Sequence, residues 1–190
     1  MAMSMPIKAW TLEELHRLPD DGNKYEVIRG ELFVTPPPSV DHEGVLARLS
    51  RILTMYVDRH GLGEVYHPRA VIRFEGSEAE PDLMVRVVPP GAHGNAWETL
   101  PPPLLVVEVL SPTTRRRDLH AKRAYYLDAG VGEYWVVDGE RREIHVIRRG
   151  AEDIVARDSV VWPAAAAEPL ALDVASLFDV RASRDTVIGS

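Results

Sequence analysis

The chain lacks cysteine altogether, and this absence excludes several kinds of site. Without Cys among its 190 residues, the chain cannot form a disulfide framework, a cysteine-ligated zinc site or an iron–sulfur cluster. The absence fits the reducing cytosol, which is the location that we expect.

Long apolar runs are also missing. The first residues, "MAMSMPIKAWTLEELHRL", lack the apolar core of a signal peptide. No later segment reaches the roughly 18 consecutive apolar residues of a membrane span, so we expect no membrane partner. The hydrophobic content of 45% is even along the chain. It predicts one domain over residues 1–190, with a core of about 10–180 and flexible ends.

Several catalytic motifs are absent. The sequence has no glycine-rich phosphate loop, no nucleophile elbow and no HExxH motif, which argues against a small-molecule α/β enzyme. The net charge of −7 argues against broad, sequence-independent binding to nucleic acid, because such binding is mostly neutralisation of phosphates by Lys and Arg. A local basic patch could still provide that contact.

What is present predicts an α/β organisation. The capping box in "TLEEL" predicts a short helix, and the alternating runs of "KYEVIRGELFVT" predict a β-hairpin around Arg29-Gly30. Apolar residues at helical spacing predict a long helix from Asp41 to His60, which ends at Gly61. Further strands are predicted over 64–74, 82–88, 104–110, 133–138 and 142–149, with a helix that starts after Ser111 and ends at Gly130, and a final strand and short helix.

Glu108 stands out because it interrupts the apolar run "LLVVEVL". A run without alternation is typical of a strand that is covered on both faces. An unpaired carboxylate would cost several kcal/mol there, so Glu108 needs a partner. That partner is either a functional group or a purely structural ion pair.

Asp82 is the first candidate partner. It follows Pro81 and opens a predicted strand 26 residues before Glu108, a gap that allows the two strands to pair. Two carboxylates on neighbouring strands form an oxygen site suited to Mg²⁺ or Mn²⁺. The alternative is that Asp82 is an ordinary strand-start or turn residue.

Lys122 is the second candidate partner. It shares a helical stripe with Leu119, Tyr126 and Ala129, and this stripe should face the sheet. A lysine on a buried stripe needs an anion, and Glu108 begins the connection to this helix. The alternative is a lysine that lays its stem along apolar surface and keeps its ammonium in water.

The order of these motifs resembles a known family. "YEVIRGEL", Pro81-Asp82, "VVEVLSPTTRRRD", Lys122 and "GVGEYWVVD" are similar to the bacterial Uma-two family of restriction endonucleases, within the PD-(D/E)XK nuclease superfamily. The resemblance covers roughly residues 10–180. It implies an α/β, restriction-endonuclease-like core, in which helices flank a mixed central sheet and the β-hairpin is N-terminal.

The resemblance also implies roles for these residues. Asp82 and Glu108 would be metal ligands, and a lysine would complete the catalytic site. The chain departs from the superfamily at Leu110, where the motif places lysine two residues after the glutamate. In this family the lysine appears on the helix, which on this chain is Lys122.

Accessory residues follow from the same resemblance. Glu26 and Glu31 match the family's "YE...GEL" pattern. The resemblance implies that one of them is a further metal ligand or holds a water ligand in place. For Glu31, the alternative is an ordinary solvated residue of the hairpin. His42 begins the long helix at a position that the family often fills with His. It is either a structural hydrogen-bonding residue or a base.

The only basic run is Arg115, Arg116 and Arg117. Cations are unfavourable at a helix start because they oppose the helix dipole. This mismatch favours contact with nucleic-acid phosphates over a solvated helix start.

Together these observations predict a Mg²⁺- or Mn²⁺-dependent endonuclease that hydrolyses phosphodiester bonds of DNA. A homodimer is expected, since cutting both strands with one site per chain usually needs two chains. The alternative is a catalytically silent module that keeps the fold and binds nucleic acid or protein.

Overall fold

A computed structural model of the protein describes residues 8–92, 97–111, 115–164 and 168–179, without the side chain of Arg116. Its helices are α1 (Leu12–Leu15), α2 (Val40–His60), α3 (Arg115–Arg117), α4 (Arg123–Asp128) and α5 (Val174–Phe178), with a 3₁₀ turn at Trp97–Thr99 and a π-helical turn at Asp118–Lys122. Its strands are β1 (Lys24–Ile28), β2 (Glu31–Thr35), β3 (Glu64–Tyr66), β4 (Ile72–Phe74), β5 (Ser77–Ala79), β6 (Leu83–Arg86), β7 (Leu105–Val109), β8 (Glu133–Asp138), β9 (Glu143–Ile147), β10 (Ile154–Ala156), β11 (Ser159–Trp162) and β12 (Leu170–Asp173).

The central sheet has six strands in the order β10-β9-β8-β7-β6-β3. Strands β7 and β8 are parallel, whereas the other neighbours are antiparallel. The parallel pair requires a crossover, which α3, the π-helical turn and α4 supply. The predicted mixed sheet flanked by helices is confirmed.

A second sheet has the order β2-β1-β5-β4. The hairpin of β1 and β2 turns at Arg29 and Gly30, which both have positive φ angles of 53° and 80°. Two consecutive residues with positive φ match the tight turn that follows the twist of the flanking strands. The predicted N-terminal hairpin is therefore confirmed, and β11 pairs with β12 in a separate two-stranded ladder.

The central sheet is buried on both faces. On one face, α2, α5 and the two-stranded ladder pack against a cluster that includes Val107, Val109 and Trp135. On the other face, α4 and the second sheet pack against a cluster that includes Val106 and Tyr126. Because side chains alternate along a strand, Glu108 projects from β7 toward the side of α4.

The predicted strand over 64–74 is wrong. The structure has two short strands there, and β3 belongs to the central sheet whereas β4 belongs to the second sheet. Pro68 lies between them, and proline cannot donate a hydrogen bond to a ladder. The hairpin of β4 and β5, which turns at Glu75 and Gly76 with positive φ, was not predicted.

The long helix begins at the cap residue Ser39, whose side chain accepts a hydrogen bond from the His42 amide. It ends at Gly61 in the left-handed conformation, as the sequence predicted. Among the residues that the structure describes, no helix combines the length and the apolarity that crossing a bilayer requires.

Candidate active site

Asp82 and Glu108 meet on neighbouring strands of the central sheet. The antiparallel register pairs Leu83 with Val107, and one further step along the ladder places Asp82 beside Glu108. The Val109 amide donates a 2.9 Å hydrogen bond to Oδ2 of Asp82. Both carboxylates are buried, with Asp82 at 6% and Glu108 at 1% exposure.

Lys122 reaches this pair from the facing crossover. Its Nζ atom lies 2.6 Å from Oε1 of Glu108 and 2.8 Å from Oε1 of Glu26. The side chain has no exposed area, so the alternative of an ammonium kept in water does not describe it. Lys122 therefore holds two carboxylates together in the interior.

The π-helical turn explains how Lys122 is placed. Lys122 is the last residue of the turn, and Asp118, the first, is equally buried. A π turn inserts an extra residue into a helix and is frequent at functional sites. The turn brings both charged side chains inside, whereas the sequence predicted a single stripe through Leu119 and Lys122.

Tyr126, which the sequence places on the helical stripe that faces the sheet, makes a polar contact there. Its hydroxyl donates a 2.7 Å hydrogen bond to Oε1 of Glu108. Tyr126 lies one helical turn after Lys122, so side chains from two successive turns hold Glu108. The only sequence feature that could have indicated this contact is the spacing of Tyr126, four residues after Lys122.

Lys24 also contacts the candidate site, and the sequence analysis missed it. Its Nζ atom lies 3.1 Å from Oδ1 of Asp82 and 3.0 Å from the carbonyl oxygen of Glu80. The side chain is 16% exposed. The contact depends on how the second sheet packs on the central sheet, so no local pattern indicates it.

His42 joins the site at the start of α2. Its Nε2 atom lies 3.1 Å from Oδ2 of Asp82, and its Nδ1 atom lies 3.4 Å from Oε1 of Glu43. The structure thus places His42 against a predicted metal ligand, where it orients the Asp82 carboxylate.

The two hairpin glutamates lie in different places. Glu26 is fully buried, and its Oε1 atom accepts hydrogen bonds from the Glu80 amide at 2.9 Å and from Lys122. Its Oε2 atom lies 3.6 Å from Nη1 of Arg117 and has no hydrogen-bond partner within the described residues. Glu31 is exposed and lies opposite Ile28, at the far end of the hairpin from Lys24.

Two arginines of the basic run, Arg115 and Arg117, are engaged within the protein. Arg115 contacts the buried Asp138. Arg117 is only 9% exposed at its side chain; its Nε atom donates to Asp118 at 3.1 Å and its Nη1 atom to Thr35 at 2.6 Å. The predicted contact of this run with nucleic acid stays a prediction.

Burial and charge set the protonation of the three carboxylates. Burial acts against ionisation of Asp82, but the Lys24 ammonium and the hydrogen bond to His42 hold its pKa well below the usual range. Burial likewise opposes ionisation of Glu26, and Lys122, Lys24 and Arg117 together lower its pKa.

Glu108 behaves differently from the other two carboxylates. Burial raises the pKa of Glu108 to about 7, and the neighbouring Asp82 and Asp118 offset part of the attraction to Lys122. Because Lys122 is shared with Glu26, Glu108 is the carboxyl of this site that most readily holds a proton.

A second group of metal-type ligands lies on β8 and β9. Ligand atoms of Asp138, Glu143 and His145 all lie within 4.8 Å of one another. However, Asp138 is paired with Arg115 and Arg141, and Glu143 with Arg157. This group is therefore neutralised by arginine, just as Asp82 and Glu108 are paired with Lys24 and Lys122, so pairing with cations does not separate the two groups.

Comparison with known proteins places the chain. The family model described as "Putative restriction endonuclease", Uma2, matches residues 12–175. No curated protein sequence matches. Among solved structures, the chain is similar to one titled as a putative nuclease belonging to DUF820 from Anabaena variabilis ATCC 29413, with a TM-score of 0.72 and 21% identity, over 91% of this chain and 98% of that chain. The likeness confirms the predicted nuclease-like fold, and the chain belongs to the Uma2 family of restriction-endonuclease-like proteins.

Proposed function

We propose that the protein is a divalent-metal-dependent endonuclease that hydrolyses phosphodiester bonds of DNA. The observation that supports the proposal most strongly is the placement of the buried Lys122 ammonium 2.6 Å from Glu108, with Asp82 on the next strand. A buried glutamate, an adjacent aspartate and a facing lysine are the three groups that this chemistry needs.

The chemistry of the donor set fits Mg²⁺ or Mn²⁺. Asp82 and Glu108 offer carboxylate oxygens, which these hard cations prefer, and the site already holds two ammonium groups against its carboxylates. Asp82 and Glu108 would hold the ion, with Glu26 and His42 fixing the residues around it. A divalent ion bound there would lower the pKa of the attacking water and offset charge on the phosphate.

The protein's own residues supply position and fixed charge. The Val109 amide and His42 fix Asp82, while Lys122 and Tyr126 fix Glu108. Lys122 then acts as a preorganised cation near the phosphate, where negative charge develops in the transition state. Because it is already in place, little reorganisation is needed during the reaction.

DNA is the proposed substrate, and the protein is proposed to act as a homodimer. One site per chain cuts one strand, so two chains related by a twofold axis would cut both. The net charge of −7 means that contact with phosphates must be local, and the run from Arg115 to Arg117 at the start of the crossover is the proposed place.

The alternative is a silent module that keeps the fold and binds nucleic acid or protein. Metal binding separates the two functions, since a silent module without a metal site shows no response to Mg²⁺ or Mn²⁺. Taken alone, the buried Lys122–Glu108 pair is compatible with either function, because an ion pair can also be purely structural; the presence of Asp82 on the next strand is what favours the nuclease.

The direct test is cleavage of supercoiled plasmid DNA in Mg²⁺, Mn²⁺ and chelator. We expect nicked and linear products with either metal and none with chelator. Asp82→Asn and Glu108→Gln should abolish cleavage, whereas Glu152→Gln, a matched change of an exposed carboxylate to an amide, should not. Equal cleavage by the two site variants and the wild type would refute the assignment.

A further inference from the structure

We propose that Lys24 is a built-in cation that competes with the divalent ion for Asp82 and must leave before the ion binds. The inference rests on the metal dependence proposed above and adds a residue to that site. It explains why a lysine from a separate sheet is packed against a metal ligand.

Lysine is scarce in this chain, and its placement is informative. The sequence contains three lysines, namely Lys8, Lys24 and Lys122. Lys8 is an exposed residue that pairs with Glu14. The other two lie in one cluster with Glu26, Asp82 and Glu108. Because the chain has so few lysines, a general abundance of surface lysine does not explain this clustering.

The two oxygens of Asp82 have different partners. Oδ2 accepts the hydrogen bond from the Val109 amide at 2.9 Å and contacts His42 at 3.1 Å. Both contacts come from β7 and α2, which pack together in the core. Oδ1 is held by Lys24 at 3.1 Å, so an ion that uses this oxygen meets the Lys24 ammonium there.

Lys24 is held less firmly than Lys122. Lys122 has no exposed side-chain area and contacts two carboxylates. Lys24 is 16% exposed and contacts one carboxylate and one carbonyl group. A long lysine side chain can move its ammonium group into water. Of the two lysines, Lys24 is therefore the one that can be released.

The pairing of local charges supports the same conclusion. Arg117 lies 3.6 Å from Glu26 and offsets its charge, and Lys122 is paired with Glu108. Lys24 is therefore the lysine that offsets Asp82. Replacing Lys24 by a neutral side chain of similar length leaves the site more negative and removes the competitor. Tighter binding of a divalent ion follows from both effects.

The test is titration of the metal-free full-length protein with Mn²⁺ by calorimetry, comparing the wild type with Lys24→Met. We expect the Mn²⁺ dissociation constant of Lys24→Met to be lower by at least about tenfold, since a unit charge near a divalent ion has at least this effect even in a water-like medium. Lys24→Arg, which keeps the charge, should bind no more tightly than the wild type, and Lys8→Met should equal it.

The sign of the change decides between competing roles. If Lys24 only orients Asp82, then Lys24→Met binds Mn²⁺ more weakly or equally, and the inference is overturned. It is also overturned if Lys24→Arg binds as tightly as Lys24→Met, because the effect then does not depend on charge.

Reductive methylation of the wild-type protein gives a second measurement that needs no variant. With three lysines, mass spectrometry of the peptides reports each one separately. Lys8 should react with or without Mn²⁺, Lys122 should stay protected in both, and Lys24 should become more reactive when Mn²⁺ is added. Unchanged or greater protection of Lys24 in Mn²⁺ would overturn the inference even if Lys24→Met fails to fold.

Failure of this inference and failure of the proposed function give different results. A wild type that binds Mn²⁺ and cleaves DNA, together with a Lys24→Met variant that binds no more tightly, overturns only the role of Lys24. Tighter binding in Lys24→Met, together with a wild type that cleaves no DNA, supports the role of Lys24 and overturns the nuclease function.

Discussion

Lys122 and Glu108 form a fully buried ion pair, with Nζ 2.6 Å from Oε1, across the interface between the central sheet and the crossover helix. Glu26 shares the same ammonium at 2.8 Å. Removing Lys122 would leave both carboxylates buried without their shared cation, and a loss of this kind typically costs about 3–5 kcal/mol. The site is therefore part of the stability of the fold as well as the place where chemistry is proposed, and variants must be designed with both in mind.

The first prediction concerns metal binding by Asp82. Mn²⁺ should raise the melting temperature of the wild type, since an ion that binds only the folded state stabilises it. Asp82→Asn should abolish this increase, because the amide removes the charge at Oδ1 while its remaining oxygen can still accept from Val109. Differential scanning fluorimetry with and without Mn²⁺ measures the effect, with Glu152→Gln as the control. An undiminished increase in Asp82→Asn would exclude Asp82 as a ligand.

The second prediction concerns the pH dependence of the metal-free protein. The pKa of Glu108 is raised from 4.5 to about 7 in the folded state, so the folded protein binds more protons than the unfolded chain between these values. The contribution of this carboxyl to the free energy of unfolding therefore falls as the pH rises from about 4.5 to about 7. Its contribution is fully present below about pH 4.5 and is lost above about pH 7.

Glu108→Gln removes this titration. The stability of the variant relative to the wild type should rise between pH 5 and pH 8. At pH 8 the substitution should leave the free energy of unfolding unchanged or increase it, because Lys122 keeps Glu26 as a partner. Urea unfolding at the two pH values measures the difference. A loss of more than about 2 kcal/mol at pH 8 would instead identify a structural ion pair.

The third prediction concerns Lys122. Lys122→Met keeps much of the side-chain volume but removes the ammonium, so it should abolish DNA cleavage while the Mn²⁺-induced rise in melting temperature remains. The variant should also be less stable, because Glu26 and Glu108 lose a shared cation. Normal cleavage by a folded Lys122→Met protein would show that this ammonium has no part in the reaction.

The fourth prediction uses Leu110 to recover the lost ammonium. Residues 108 and 110 lie on the same side of β7 and its continuation, and Leu110 packs against the cluster that contains Tyr126. Adding Leu110→Lys to Lys122→Met should restore part of the cleavage, at a further cost in stability for burying a polar chain. The matched control is Leu110→Met in the same background, which should restore none.

The fifth prediction tests Tyr126 as a positioning residue. Tyr126→Phe removes one hydrogen bond to Glu108 and leaves the Lys122 contact, so the loss of stability should be about 1–3 kcal/mol. Cleavage should fall through kcat, with Mn²⁺ affinity changed less. A variant that matches the wild type in both stability and cleavage would show that the 2.7 Å contact contributes nothing.

Sequence alone predicted the parts of the site that depend on local periodicity. Glu108 was identifiable because it interrupts an apolar strand. Lys122 was identifiable because its helical spacing predicted burial, although a π-helical turn and not a single stripe brings it inside. Asp82 required only the expectation that two consecutive strands pair. In each case one short segment carries the signal.

The rest depends on packing between distant segments. Lys24 contacts Asp82 across 58 residues of sequence, and this pairing exists only because the second sheet lies on the central sheet. The π-helical turn that follows Arg117 and buries Asp118 and Lys122 has no sequence signature that separates it from an ordinary helix start. For the same reason the basic run was expected to face solvent or phosphate.

The most direct test of the central claim is a crystal structure with Mn²⁺ and a short DNA duplex, in which anomalous scattering locates the ion. The account predicts a peak within coordination distance of both the Asp82 and Glu108 carboxylates, a phosphate beside it, and the Lys122 ammonium facing that phosphate. No peak at this pair, or a peak only at the cluster of Asp138, Glu143 and His145, would contradict it.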